Sequence, residues 1–373
     1  MKVCHVITSL DIGGAELVLY RLLSAQRDNV ADVSVITLRP EGALAAKLRD
    51  AGFQVYSLNV SGLFSLASAV IKLVKLLQVI KPEVVQSWLY HADFIASLSS
   101  FWLKDIRYVW GIHTCQLPKG NPATWLIMKC CAFLSHRVPD KIVCVAKAAQ
   151  QLHVRSGYAA NKISVIPNGF AVSEYAPEPG LRQALRRELQ LPSSAVIVGI
   201  IARWHADKGQ DLMLEAIKHV QIANPDVIFL FVGRGCDADN TAMEQLVKAC
   251  PYPEKILALG ERSDIPALLN TIDVFCMPSR TEAFPLALGE AMCAALPVVA
   301  TNVGDVEYMT GNLVTLAKPA DSASLAECLS GILANSAEYR AQLGQNLHKR
   351  VSEHFSIEQM VKRYQQLYSS LQN

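Results

Sequence analysis

What most constrains this chain is an alternation of β-branched apolar runs with helical segments, repeated along its length and broken once near the middle. Val3–Thr8 is apolar and β-branched, meets Gly13–Gly14, and passes into a helical pattern over Ala15–Gln26. Strands are then expected at Asp32–Leu38, Gln54–Leu58, Glu83–Gln86, Arg107–Trp110, Lys141–Val145 and Lys162–Ile166. Helices are expected between them at Ala43–Ala51, Leu63–Ile80, His91–Leu103, Ala123–His136 and Ala148–Gly157. Near Pro167-Asn168-Gly169 the pattern stops, and Ala176-Pro-Glu-Pro-Gly180 has the composition of a loop or linker. A second series opens at Ala195–Ala202, nearly all apolar, as a central parallel strand should be. Strands Val227–Val232, Ile256–Leu259, Val274–Met277 and Pro297–Thr301 follow, with a short one near Leu313–Leu316. Their helices fall at Gln210–Ile222, Thr241–Ala249, Asp264–Leu269 and Leu286–Ala295, before a helical C-terminus. Strands alternating with helices of this length make βαβ units and parallel sheets. At 373 residues the chain exceeds one ordinary core, so an α/β protein of two parallel-sheet domains is expected.

Composition narrows the partners. Hydrophobic residues make up 51% and charged residues 18%, suited to well-buried parallel sheets. The net charge of +2 gives no reason to expect nucleic acid. Its distribution is uneven: Met1–Asn168 carries 18 basic against 10 acidic residues, and the remainder 17 against 23. A basic half is suited to an anionic partner such as phospholipid or a phosphate-bearing acceptor, or it is uneven surface charge without function. None of the ten cysteines forms a CxxC pair, and several lie in apolar strands, so reduced thiols and a cytosolic setting are expected. The N-terminus does not have the pattern of a signal peptide, and charged residues interrupt each long apolar segment.

The densest chemistry lies at Glu282-Ala-Phe-Pro-Leu-Ala-Leu-Gly-Glu290, two carboxylates flanking a loop-to-helix junction. Pro285 suits the first helical turn. The amides of Phe284, Leu286 and Ala287, with the helix dipole, make an anion site between the two acids. One carboxylate would then grip ribose hydroxyls and the other reach a sugar; the alternative is two acids complementing a helix start. Arg203 closes the strand Ala195–Ala202 and Lys208 follows five residues later, two cations placed to hold a diphosphate or simply solvated. Gly13 and Gly14 fit a glycine turn that either approaches a ligand or just turns the chain, and Glu16 is read as a helix-start cap. Trp125–His136, with Lys129 and nearby Arg137, suits an amphipathic patch on a bilayer or an interior helix.

The stretch Pro278-Ser-Arg-Thr-Glu-Ala-Phe-Pro-Leu-Ala-Leu-Gly-Glu-Ala-Met-Cys-Ala-Ala-Leu-Pro-Val-Val-Ala300 closely resembles the signature of glycosyltransferase family 4, and the resemblance follows most of the chain in order. It implies the GT-B fold, two facing Rossmann-like domains: residues 1–170 with a C-terminal helix over 356–373 crossing back for the acceptor, and 171–355 for a nucleotide sugar. It implies that Glu282 approaches the donor sugar, that Glu290 binds the ribose, and that Arg203 and Lys208 neutralise the leaving nucleoside diphosphate. By the same resemblance Gly13 and Gly14 approach donor phosphate or acceptor, Gly233 lines the donor, Arg262 lies in the loop that contacts the base, and Phe284, Pro285 and Leu286 border the phosphates. His113, just after a strand, falls where the family carries a cleft histidine that hydrogen-bonds the sugar or the developing charge. Asp237-Ala-Asp239 looks like a DxD metal motif but is placed as a helix-start loop, so no metal or other cofactor is expected to be essential. Ala202 replaces a frequent glycine, and Asn302-Val-Gly-Asp-Val-Glu307 departs from a more glycine-rich family loop.

The activity expected from the resemblance is retaining transfer from a nucleotide diphospho-sugar, UDP-linked before GDP-linked, to a glycan or lipid-linked saccharide. Cell-surface polysaccharide or lipopolysaccharide synthesis is the expected setting, in the cytoplasm or at the inner face of the membrane. The rivals are a nucleotide-sugar epimerase of the same fold, a dinucleotide-dependent oxidoreductase, whose full GxGxxG is missing here, and a donor-binding subunit without turnover.

Overall fold

The computed structural model describes residues 1–60, 66–118 and 120–372. They form two compact units: Met1–Gly169 with Ile357–Asn373, and Phe170–Ser356. The first holds strands β1 (Val3–Ile7), β2 (Val33–Thr37), β3 (Gln54–Ser57), β4 (Val84–Trp88), β5 (Arg107–Ile112), β6 (Lys141–Cys144) and β7 (Ile163–Val165). All pair in parallel in the order β3-β2-β1-β4-β5-β6-β7. β1, β2 and β4 are buried along their whole length, which is why their sequences are apolar runs rather than alternations. From β1 the chain steps outward to β2 and β3, then restarts on the other side at β4. That reversal opens a crevice at the carboxyl ends of β1 and β4.

The second unit repeats the plan with β8 (Ile197–Ile201), β9 (Ile228–Val232), β10 (Ile256–Ala258), β11 (Val274–Met277) and β12 (Val298–Ala300), again all parallel. Their order is β10-β9-β8-β11-β12, so the reversal falls between β8 and β11. Its core is built from strand residues such as Val198, Phe229, Phe231 and Val274, packed with Met213, Ile217 and Leu329 from helices Gln210–Ala223 and Ser322–Ala334. The last helix, Ile357–Ser369, belongs to the first unit and buries Met360, Tyr364 and Tyr368 there.

Four expectations change. β4 continues to Trp88, two residues past its expected end at Gln86, because Gln86 and Ser87 are buried and bonded inside the sheet. Ser87 Oγ donates to Asp93 at 2.6 Å, and Gln86 Nε2 donates to the Ser87 carbonyl at 3.2 Å. The linker Ala176–Gly180 is cut short by an unforeseen helix, Pro179–Glu188, with its proline in the first turn. Arg182 and Arg186 fasten that helix to Asp273 at 2.5 and 2.7 Å. Leu313–Leu316 is not a strand; an isolated bridge from Thr301 to Ala317 stands in its place. A short helix, Val306–Thr310, also went unforeseen.

The helix expected over Leu63–Ile80 is present from Leu66, and its first three residues lie outside the described residues. All ten cysteines are free thiols. Among the described residues no helix is long and apolar enough to cross a membrane.

Candidate active site

The second unit gathers most of the candidate residues at the carboxyl edge of its sheet, on either side of the reversal. After β8 the chain runs through Arg203 to a short turn at Ala206–Lys208, then enters helix Gln210–Ala223 at Gly209. Gly209 has φ +68°, and a Cβ there would stand 2.1 Å from the Pro278 carbonyl oxygen. Glycine is required at this point both by conformation and by the neighbouring loop. Gln210, buried, holds the loop from inside: its amide donates to the carbonyls of Ala202 at 3.1 Å and Arg203 at 2.7 Å.

The loop after β11 is fastened against the loop after β8. Arg280 donates to the Ala206 carbonyl at 2.7 Å and forms a fork on Asp211 at 2.8 and 2.6 Å, while its own amide donates to the Asp207 carbonyl. Within this frame Lys208 Nζ donates to Glu282 Oε1 at 2.7 Å, and Ser279 Oγ donates to the same oxygen at 2.7 Å. Lys208 and Glu282 are thus direct partners, with side chains 29% and 11% exposed. Gly304 backs this loop: at φ +58° its Cβ would stand 2.3 Å from the Glu282 carbonyl. The departure noted at Asn302–Glu307 therefore packs directly on the motif.

Arg203 is exposed, and among the described residues its guanidinium makes no hydrogen bond or ion pair. It is a cation of this edge left open to an incoming anion. Gly233 adjoins it, with φ +138° and a Cβ position 2.2 Å from the Ala202 carbonyl. Glu290 lies half-buried on helix Leu286–Cys293, whose first-turn amides have no partner within the helix.

One expected detail is corrected, and two further side chains prove already engaged. Pro285 is the cap residue before that helix, with ψ 124°, rather than part of its first turn. The Phe284 side chain points into the core, stacked on Phe170 with centroids 6.3 Å apart and edge-on to Phe355 at 5.2 Å, which leaves its backbone alone to meet a ligand. Arg262 is committed to Asp264 at 2.6 Å and Glu188 at 3.3 Å.

Asp237 and Asp239 make a local turn, the Asp239 amide donating to Asp237 at 3.2 Å, and Asn240 rather than either acid caps the next helix. Among the described residues no group of three or more His, Cys, Asp or Glu is placed to hold a metal ion. Sequence reasoning missed Ser279, Arg280 and Gln210. Ser279-x-x-Glu282 has the spacing of a capping box, the one signal that was available.

Gly13, Gly14 and His113 lie in the first unit. Gly13 caps helix Gly14–Ser24 with extended backbone at φ −150°, and nothing comes within 4 Å of a Cβ placed on Gly14. The fold therefore does not demand a glycine at Gly14. Glu16 is folded over Gly13 and accepts from Ser9 Oγ at 3.3 Å, and burial raises its carboxyl above the usual range. His113 directly follows β5; burial lowers its imidazole to about 4, so the ring is neutral near pH 7.

The sequence and the fold are similar to those of known proteins. A model described as "Glycosyl transferases group 1" matches residues 182–350, and one described as "Glycosyltransferase Family 4" matches residues 12–174. An Escherichia coli protein named as a UDP-Gal:α-D-GlcNAc-diphosphoundecaprenol α-1,3-galactosyltransferase is 27% identical over 50% of this chain and 49% of its own length. A lipopolysaccharide core mannosyltransferase of Rhizobium meliloti is 27% identical over 64% of this chain and 68% of its own. The chain spans about half the length of most curated relatives it matches. Among solved structures, Anabaena HepE in complex with UDP superposes with a TM-score of 0.88 over 99% of this chain and 100% of that one, at 24% identity. The fold of this chain is the GT-B fold of these proteins.

Proposed function

We propose, from the premise that this chain belongs to glycosyltransferase family 4, that it transfers a glycosyl group from a nucleotide diphospho-sugar to an acceptor hydroxyl. The observation that carries this reading is the Lys208–Glu282 pair at the reversal between β8 and β11, between open Arg203 and the helix that bears Glu290. Parallel α/β sheets bind nucleotides at such a reversal, with phosphate on free backbone amides. On this reading the diphosphate lies on Arg203, Lys208 and the first amides of helix Leu286–Cys293. Glu290 takes the ribose hydroxyls and Glu282 the donor sugar. As the glycosidic C–O bond breaks, negative charge grows on the leaving phosphate and positive charge on the sugar ring. Fixed cations stabilise the first most strongly in the transition state, which is where stabilisation accelerates the reaction.

We assign the acceptor to the first unit, near Gly13 and Gly14, with His113 as a neutral hydrogen-bonding group. The anomeric configuration is retained in this reading, and no metal is given a role because Arg203 and Lys208 supply the positive charge. UDP-linked donors are favoured over GDP-linked ones, since one relative is named for UDP-Gal and HepE was solved with UDP. A glycan or lipid-linked saccharide is the acceptor class, and cell-surface polysaccharide or lipopolysaccharide assembly in the cytoplasm the setting, in keeping with the names of the bacterial relatives. Contact with anionic membrane is assigned to the outer stripe of helix Pro122–Ser135. There Trp125 and Phe133 are 46% and 64% exposed, with Lys129 and Arg137 over their rings.

A thermal-shift panel of UDP-glucose, GDP-mannose and ADP-glucose tests the donor site. One of them is expected to raise the unfolding midpoint, and Glu290→Ala to shrink that rise by weakening the donor's affinity about tenfold or more, the loss expected for a charged hydrogen bond. A wild-type chain that none of the three stabilises, or a variant that responds equally, contradicts the assignment.

A further inference from the structure

The reversal in the first unit lies between β1 and β4, and Trp88 ends β4 there. Its indole is fully buried and touches three rings. Trp88 Nε1 donates to His5 Nδ1 at 3.1 Å, which fixes the His5 proton on Nε2 while that ring is neutral. The His113 imidazole lies over the indole, centroids 4.9 Å apart and planes 25° apart. Tyr364 of helix Ile357–Ser369 stacks on it as well, at 6.2 Å and 29°. The next residue, Leu89, has φ +72°, a left-handed conformation unfavourable for any side chain with a Cβ. That turn takes the chain from strand to helix within one residue and leaves Trp88 at the sheet edge.

Among the described residues His113 has no hydrogen-bond partner, and its Nε2 is buried. Its orientation therefore rests on packing, and the indole is its aromatic neighbour. We infer that Trp88 is the positioning residue for His113, braced by Tyr364, so that the C-terminal helix sets the orientation of the imidazole. This rests on the proposed role of His113 in transfer.

The surrounding titratable groups are consistent with a neutral ring. Asp93 accepts from Ser87 Oγ at 2.6 Å, and burial pushes its carboxyl well above the usual range. Burial lowers His5 to about 3 and raises Tyr364 and Tyr368. Among the described residues these groups supply no carboxylate anion to hold a charged imidazole.

The test uses the full chain with Trp88→Leu, Trp88→Phe and Tyr364→Leu, with two readouts. One is nucleotide release from UDP-glucose, or from GDP-mannose if the panel selects it. The other is the titration of His113 followed by NMR of labelled histidine. Trp88→Leu is expected to lower kcat by roughly 10–100-fold, the scale of a misplaced catalytic group, with donor KM within about threefold. The His113 midpoint should rise from about 4 toward the ordinary 6.5 as water reaches the ring. Trp88→Phe, which keeps a stacking face, should restore most of both, and Tyr364→Leu should move both partway.

A folded Trp88→Leu chain with unchanged kcat and an unchanged His113 midpoint overturns the inference. If that variant fails to fold, Trp88→Phe and Tyr364→Leu decide: a wild-type His113 midpoint in Tyr364→Leu also overturns it. His113→Ala separates the two layers. Wild-type kcat in that variant removes the role of His113 in transfer, whereas the midpoint in the Trp88 and Tyr364 variants reports on positioning either way.

Discussion

Lys208→Ala is expected to lower kcat for nucleotide release by about 10²–10³-fold, the loss found when one preorganised stabilising group is removed from a transition state. Lys208 is held by its 2.7 Å bond to Glu282, on a loop fixed by Gln210 and Arg280. It is therefore in place before charge develops, and little reorganisation is needed when the phosphate departs. The variant also leaves Glu282, 11% exposed, beside Ser279 without its cation. The donor's positive ring charge would still meet that carboxylate, so the loss should appear in kcat more than in KM. Lys208→Arg should not rescue fully, because a planar fork replaces a compact point charge. Initial-rate measurements on both variants check this. If the pair is merely a structural tie, Lys208→Ala loses stability of about 1 kcal/mol and keeps its kcat, since partly exposed ion pairs contribute little.

Gly209→Ala is the second large effect, and it acts through the fold. The left-handed conformation costs about 1–2 kcal/mol in a residue with a Cβ. The contact with the Pro278 carbonyl adds overpacking of about 1–3 kcal/mol. Together they predict a fall in the unfolding midpoint of roughly 4–20 °C for a unit of this size, with loss of turnover as Lys208 is displaced. Gly14→Ala is the matched contrast. Space around Gly14 is open, and alanine favours the helix it begins by up to about 1 kcal/mol. That variant should be as stable as the parent yet impaired in turnover if a ligand needs to approach the backbone. Calorimetry beside rate measurements on the two variants distinguishes a glycine required by folding from one required by function.

The two parallel sheets could be read from the sequence because buried parallel strands are written as continuous apolar runs. β8, from Ile197 to Ile201, and β9, from Ile228 to Val232, are such runs. Where polar residues are buried the reading failed: Gln86 and Ser87 looked like a strand end, yet their bonds to Ser87 and Asp93 carry β4 on to Trp88. Trp88 was overlooked for that reason. Leu313–Leu316 has the apolar composition of a strand but lacks a continuous partner, which composition does not reveal.

In the candidate site, the pairing of side chains was not legible in the sequence. Lys208 and Glu282 stand 74 positions apart, and their bond depends on the order in which β8 and β11 lie in the sheet. Arg262 and Phe284 show the converse. Both lie at motif positions, but local packing directs the first to acidic neighbours and the second to the core. The stacking of Tyr364 on Trp88 is still less visible, since it joins the end of the chain to a strand of the first unit.

The most direct measurement is a crystal structure of this chain grown with UDP, and with GDP if the thermal panel favours it. The expected density places the diphosphate against Arg203, Lys208 and the start of helix Leu286–Cys293, with the ribose hydroxyls on Glu290. Nucleotide bound elsewhere on the second unit, or with its phosphates turned away from Arg203 and Lys208, would contradict the account.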